Sequence, residues 1–293
     1  METIEDLKGR IESTQDLHSV VKTMKALAAV NIRQYERSVL ALEDYSRAVE
    51  MGLRVVLRNQ TGPPVTARRA PQDRMGAVIF GSDQGMCGQL NDQIVGHALK
   101  IMDDLAIEER HLLAVGERVM ARMEDTGHAV EQYVSVPTGV GGITPAVQTL
   151  LAEIDRWNHE YGLNQVFLFH NRQTSGAAFT PRTTHLLPID DAWLRRLREK
   201  PWPTRALPTY TMGWDPLFSA LIREYLFISL FRAFAESLAS ENASRFASMQ
   251  GAEKGIEERL SELNARFHQR RQMTITEELL DIMAGFEALK GTT

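Results

Sequence analysis

Residues 215–238 read DPLFSALIREYLFISLFRAFAESL, and their punctuation decides the architecture. Asp215 can cap the first free N–H groups of a helix, and Pro216 suits the first helical position, where its missing N–H costs nothing. Apolar residues then recur at Leu217, Leu221, Leu226, Leu230, Phe234 and Leu238, and later at Ile256, Leu260, Leu263 and Phe267. After a break the series resumes at Ile275, Leu279, Ile282, Phe286 and Leu289 with spacings of 4, 3, 4 and 3, the seam of a coiled coil. A helix from Asp215 to Leu289 would extend about 110 Å, several times the width of a small domain.

The other end of the chain carries a matching seam in Ile4, Leu7, Ile11, Leu17, Val21, Met24 and Ala28 and continues through Leu40, Val49, Leu53 and Val56. An apolar stripe on a long helix needs a partner, and the two termini packed antiparallel supply one for each other. None of the 11 prolines falls in residues 1–62 or 217–293. Because proline costs about 3 kcal/mol inside a helix, this distribution predicts helix, compact middle, helix. The expected parts are an N-terminal coiled-coil helix over 1–58, an α/β domain over 74–213 and a C-terminal coiled-coil helix over 214–293. Residues 59–73 and 188–213 are read as linkers. The C-terminal helix is the longer, so part of it should run unpaired. Between Phe267 and Ile275 the seam stutters through Arg271, and RRQMTIT places Arg270, Arg271, Gln272 and Thr276 around the helix.

The middle alternates in type. Strand-like runs cover 76–80, 111–115, 132–136, 166–169 and 183–189, and helical periods cover Leu90 to Leu105 and Val147 to Tyr161. Strands alternating with helices predict a Rossmann-like α/β sheet domain. After the first strand comes GSDQGMCGQLN at 81–91, which resembles a phosphate loop in outline only. Gly81, Gly85 and Gly88 miss both the GxxxxGK[ST] and the GxGxxG spacing. Glycines here are read instead as positions that let another element come close.

Composition excludes several classes. A net charge of −5 gives no nucleic-acid signal, one cysteine (Cys87) excludes an intrachain disulfide, and no run of apolar residues is long enough for a membrane span. The start METIEDLKGR lacks the pattern of a signal peptide. The eight histidines show no HxxxH or HExxH spacing, and GxSxG is absent. Asp190-Asp191 reads as a solvated turn, and Cys87 as a small packed residue. The sequence therefore offers no catalytic residue, no cofactor and no metal site.

The stretches VVKTMKALAAVNIR, GSDQGMCGQLN, ESLASENASRFASMQGAEK and ARFHQRRQMTITEELLDIMAGFEAL together resemble the gamma subunit of F-type ATP synthases. The likeness covers about the first 50 and last 75 residues plus the loop. It implies a central rotor whose antiparallel coiled coil enters a ring of three alpha and three beta subunits. Its α/β foot would stand on the epsilon subunit and the membrane c-ring, peripheral to the cytoplasmic face of the membrane. Ion translocation through that ring would drive rotary ATP synthesis or hydrolysis on alpha and beta, so the rotor needs no catalytic residue of its own. By the same resemblance Met24, Lys25, Cys87, Arg245, Arg271, Gln272 and Thr276 are expected to contact partners, and Gly81, Asp83, Gly85 and Gly88 to pack the loop. Arg245→Ala is expected to behave as a surface change, within roughly 0.5 kcal/mol.

Departures from the family pattern are Asn31, Gln84 and Gln250 where a base is common, and Gly255 for an asparagine. They point toward a divergent branch, with the alternate, sodium-type ATPases as one home. Ion ligands belong to the c-ring, so this sequence does not name the ion, and proton coupling is the expectation on family frequency. A nucleotide-binding α/β enzyme and a non-rotary coiled-coil adaptor are the competing readings.

Overall fold

The computed structural model describes residues 3–59, 74–163, 165–176, 178–202 and 208–290, without the side chains of 175 and 285–290. The 59–73 linker lies almost wholly outside the described residues, as do the seam side chains Phe286 and Leu289. The elements are α1 (Ile4–Arg58), β1 (Arg74–Phe80), α2 (Leu90–Asp104), β2 (Glu109–Val115), α3 (Glu117–Asp125), β3 (Gln132–Val134), α4 (Val140–Tyr161), β4 (Val166–Ser175), β5 (Ala178–Leu187), α5 (Asp191–Glu199) and α6 (Trp214–Lys290). The chain divides into two compact units, Met1–Leu27 with Phe246–Thr293, and Ala28–Arg245.

In the unit Ala28–Arg245 the strands form one sheet in the order β3-β2-β1-β4-β5. β1 runs parallel to β2 and β4, β2 runs parallel to β3, and β5 closes the edge antiparallel to β4. Alternation along β1 sends Met75, Ala77 and Ile79 into a core under α2 and α3, and Val78 and Phe80 into a second core under α4 and α6. Trp157 of α4 fills the second core, and Gly76 makes room for it, since a Cβ there would lie 2.6 Å from the indole. Between Ile228 and Ser244, α6 is buried on nearly all sides, as a helix must be when sheet, loop and α1 all touch it.

Two helices were not legible in the pattern. α3 is short, and α5 occupies the stretch read as a linker. Asp190, expected in a solvated turn, caps α5 by accepting from the Ala192 N–H at 2.8 Å. Leu197 of α5 is buried with Leu42, Val49, Leu53 and Ile228.

The apolar seam of α1 also needs correction at two places. Its covered positions follow Ile4, Leu7, Ile11, Thr14, His18, Val21, the pair Met24 and Lys25, and Ala28, spaced by 3 and 4. Leu17, one residue off that register, is 53% exposed, and Leu40 is 63% exposed. One residue turns the side chain by about 100°, so the period outweighs the hydrophobicity of either leucine. In the unit of Met1–Leu27 and Phe246–Thr293 the helices run antiparallel: Lys25 pairs with Glu253, and His18 lies 3.5 Å from Glu257. Leu263 is its last buried residue among those described, and Ile275, Leu279, Leu280, Ile282 and Met283 are exposed.

Candidate interaction site

The loop after β1 is held by its own polar groups. Asn91, one residue into α2, accepts from the Ser82 N–H at 3.0 Å and donates to the Ser82 hydroxyl at 2.8 Å. Asp83 ties three segments together, accepting from the Glu117 N–H at 2.9 Å, the Tyr133 hydroxyl at 2.8 Å and the Val136 N–H at 2.8 Å. Desolvation and this bond push the Tyr133 phenol up to about 12. Gly81 has no space for a side chain, since a Cβ would meet Asn91 Oδ1 at 2.5 Å and Val119 at 2.6 Å. Gly88 uses a positive φ of 58°. Gly85 departs from the close-approach expectation within this chain, because a Cβ there would meet nothing within 4 Å.

The element that lies against the loop is α6. The Ser244 hydroxyl donates to the Cys87 carbonyl at 2.6 Å, and Cys87 is buried. Burial pushes its thiol upward, so the site does not favour a reactive thiolate. The next residue of α6, Arg245, donates to Glu241 one turn back at 2.6 Å. Glu241 is 5% exposed, and burial raises its carboxyl against the lowering influence of Arg245. On the α1 side, Asn31 donates to Asn242 at 3.2 Å.

The expected contact residues thus fall into two groups. Cys87 and Arg245 join the loop cluster in the unit Ala28–Arg245, where Cys87 accepts from Ser244 and Arg245 donates to Glu241. Met24, Lys25, Arg271, Gln272 and Thr276 belong to the other unit. There Met24 is half-buried, Lys25 is engaged by Glu253, and Arg271, Gln272 and Thr276 are exposed. The Thr276 hydroxyl donates back to the Gln272 carbonyl at 2.8 Å. Sequence reasoning missed Glu241, Ser244, Asn91 and Tyr133. The small polar residues of SLASENAS are the signal that could have found α6's share, since they mark a face that admits a close backbone neighbour.

Comparison with known proteins converges on one family. The family model described as ATP synthase matches residues 3–289. The ATP synthase gamma chain of Bdellovibrio bacteriovorus is 24% identical over 303 residues, covering 99% of this chain and 100% of the relative. That of Anaeromyxobacter sp. (strain Fw109-5) is 27% identical over 311 residues, with 99% and 100% covered. In fold, the chain is similar to a chain of the Tetrahymena thermophila mitochondrial ATP synthase central stalk and c-ring, with TM-score 0.58 at 20% identity, covering 80% of this chain and 99% of that one. A chain of the Euglena gracilis mitochondrial ATP synthase, in a structure of OSCP, F1 and c-ring, gives TM-score 0.63 at 16% identity, with 98% and 94% covered. With a long-helix pair, a five-stranded sheet and a full-length family match all present in one sequence, the chain belongs to the ATP synthase family, among its gamma chains.

Proposed function

We propose that this chain is the central rotor of a rotary ATP synthase, coupling ion translocation through a membrane c-ring to nucleotide turnover on a ring of three alpha and three beta subunits. As a gamma chain it is a non-catalytic subunit of the synthase. The observation that carries the rotor reading is the end of α6. Ile275, Leu279, Leu280, Ile282 and Met283 are all exposed, and Arg271 and Gln272 stand exposed just before them. A contiguous apolar surface of this kind marks a protein interface rather than a solvent face. A rotor works by making different contacts with successive partner states, which requires surface and shape but no reacting group.

In this reading the alpha and beta ring covers the α6 end, with Met24, Arg271, Gln272 and Thr276 as contacts. The sheet-bearing unit meets epsilon and the c-ring. Among the described residues no helix is long and apolar enough to cross a membrane; the rotor reading gives the chain a peripheral place, on the cytoplasmic face. The parts 1–58, 74–213 and 214–293 then serve as shaft, foot and shaft. Affinity purification of the full chain from its own cells tests the proposal: one copy with three alpha and three beta chains is expected. Recovery of the chain alone, or with no alpha and beta, would overturn it.

A further inference from the structure

The unit Ala28–Arg245 contains a polar cavity of about 520 Å³ between β4, β5, α1 and α6. Its volume falls in the range of small-molecule sites. Strand pairing builds one wall: His170 of β4 stands opposite Arg182 of β5, and Arg172 follows His170 on the same face. Arg232 and Glu236, one turn apart on α6, bring a third guanidinium and a carboxylate to the same space. All three arginines act on the Glu236 carboxyl, yet only Arg172 lies within ion-pair reach, at 3.8 Å. Burial raises that carboxyl while the three arginines lower it, and it is the single acid at this wall beside three cations.

Two buried nitrogens sharpen the picture. Among the described residues His170 Nδ1 and Arg232 Nε have no hydrogen-bond partner, and His170 is 3% exposed. Its other nitrogen lies 3.3 Å from the Thr184 hydroxyl, and Nδ1 is 3.5 Å from Glu236. Buried polar groups of this kind are rarely left unpaired. Water could accept from them, but only an anion also answers the guanidinium charge gathered at the strand wall. The facing wall on α1 carries Glu43 and Glu50; Glu50 and Arg232 both act on the Tyr225 hydroxyl, and neither α1 acid is among the charges that move Glu236. Arg172 of β4 and Arg182 of β5 make the strand end the positive one.

We propose that this cavity binds a phosphate dianion, free or as the terminal group of a diphosphate or nucleotide, with Arg172, Arg182 and Arg232 as its ligands. The test uses the purified full chain, titrated calorimetrically with inorganic phosphate, pyrophosphate or ADP in chloride buffer at constant ionic strength. Saturable binding of at least one is expected; ADP binding tighter than pyrophosphate identifies a nucleotide, and the reverse order a free polyphosphate. Losing one charge-assisted contact through Arg182→Gln or Arg232→Gln should weaken binding about tenfold or more. Arg182→Lys should retain part of it, while Glu43→Gln should leave it unchanged or tighten it. Circular dichroism of each variant separates lost binding from lost fold. No saturable binding in the millimolar range, or arginine variants that are folded and bind as well as the parent, would overturn the proposal while leaving the family assignment untouched.

Discussion

Two stretches of α6 invert the usual rule about inside and outside. Over 237–244, Ser237, Ser240, Glu241, Asn242 and Ser244 are buried. Over 275–283, Ile275, Leu279, Leu280, Ile282 and Met283 are exposed. The first stretch satisfies most of its polar groups within the chain: Ser240 and Asn242 donate to carbonyls one turn back at 2.8 Å, Ser244 to Cys87, and Glu241 accepts from Arg245. The second leaves apolar surface in water. Buried polarity with local partners speaks of intrachain structure, whereas exposed apolarity without a partner speaks of assembly. Substitutions in the two stretches should therefore be read out by different experiments.

The largest effect on stability is expected at Glu241. Glu241→Ala leaves the Arg245 guanidinium half-buried and unpaired, and arginine cannot shed its charge. Breaking such a pair costs about 3–5 kcal/mol. Arg245→Ala is milder because Glu241 can take up a proton, but it is no surface change, contrary to the sequence expectation, since Glu241 depends on it. The pH dependence has a definite sign. Burial raises the folded-state value of Glu241, so the group favours folding below the ordinary carboxyl value and loses that contribution as pH rises through the raised one. Removing Arg245 takes away the influence that lowers it, so the loss should deepen and reach higher pH. Thermal melting of both variants from about pH 4 to pH 8 checks this: a flat Arg245→Ala profile would mean that Glu241 has another counter-charge.

Next comes the loop. Gly81→Ala must displace Asn91 or Val119, both in tight contact, at about 1–3 kcal/mol. For a unit of this size each kcal/mol lowers the melting temperature by roughly 2–4 °C. Gly85→Ala meets nothing and should melt with the parent. Equal melting of the two would break the distinction between the glycines.

These residues also show what was legible in the sequence. The long helices, the strand positions and the family were readable because period, proline placement and motif are local signals. α5 was hidden because it is only nine residues long and five of them are charged; Leu197 is buried, with Trp193 and Leu194 packed beside it. Leu17 and Leu40 misled because hydrophobicity was weighed before register. The Asp83 ties to Glu117, Tyr133 and Val136 join segments 34 to 53 residues apart, which no spacing rule reveals.

At the other end of α6 the expectation reverses. Leu279→Gln with Ile282→Gln touches only exposed side chains, so the melting temperature of the isolated chain should change within about 0.5 kcal/mol. Assembly with alpha and beta, followed by sedimentation, should weaken, together with coupled ATP turnover. Unaltered assembly would assign this apolar surface to something other than the ring. The two stretches are then distinguished by which readout moves.

The smallest effect concerns charge on the lower part of α1 and the loop. Residues 18–37 carry Lys22, Lys25, Arg33 and Arg37 against Glu36. Lys25 is already engaged by Glu253, and Asn31, one of the positions where the family often has a base, donates to Asn242. A lysine at 31 would forfeit that bond, so Asn31 is a poor place to restore charge. Gln84 differs, because its side chain is exposed and only its carbonyl is used, accepting from the Ser82 hydroxyl at 2.9 Å. Gln84→Arg should therefore leave stability unchanged. If the loop faces acidic surface on beta, the added charge should speed association with the alpha and beta ring a few-fold at low salt. That gain should fade as the screening length shortens to about 8 Å at physiological ionic strength. Stopped-flow association at two salt concentrations decides between the alternatives: a rate that ignores both the substitution and the salt would place the loop away from beta, and would leave its packing against Ser244 as its whole role.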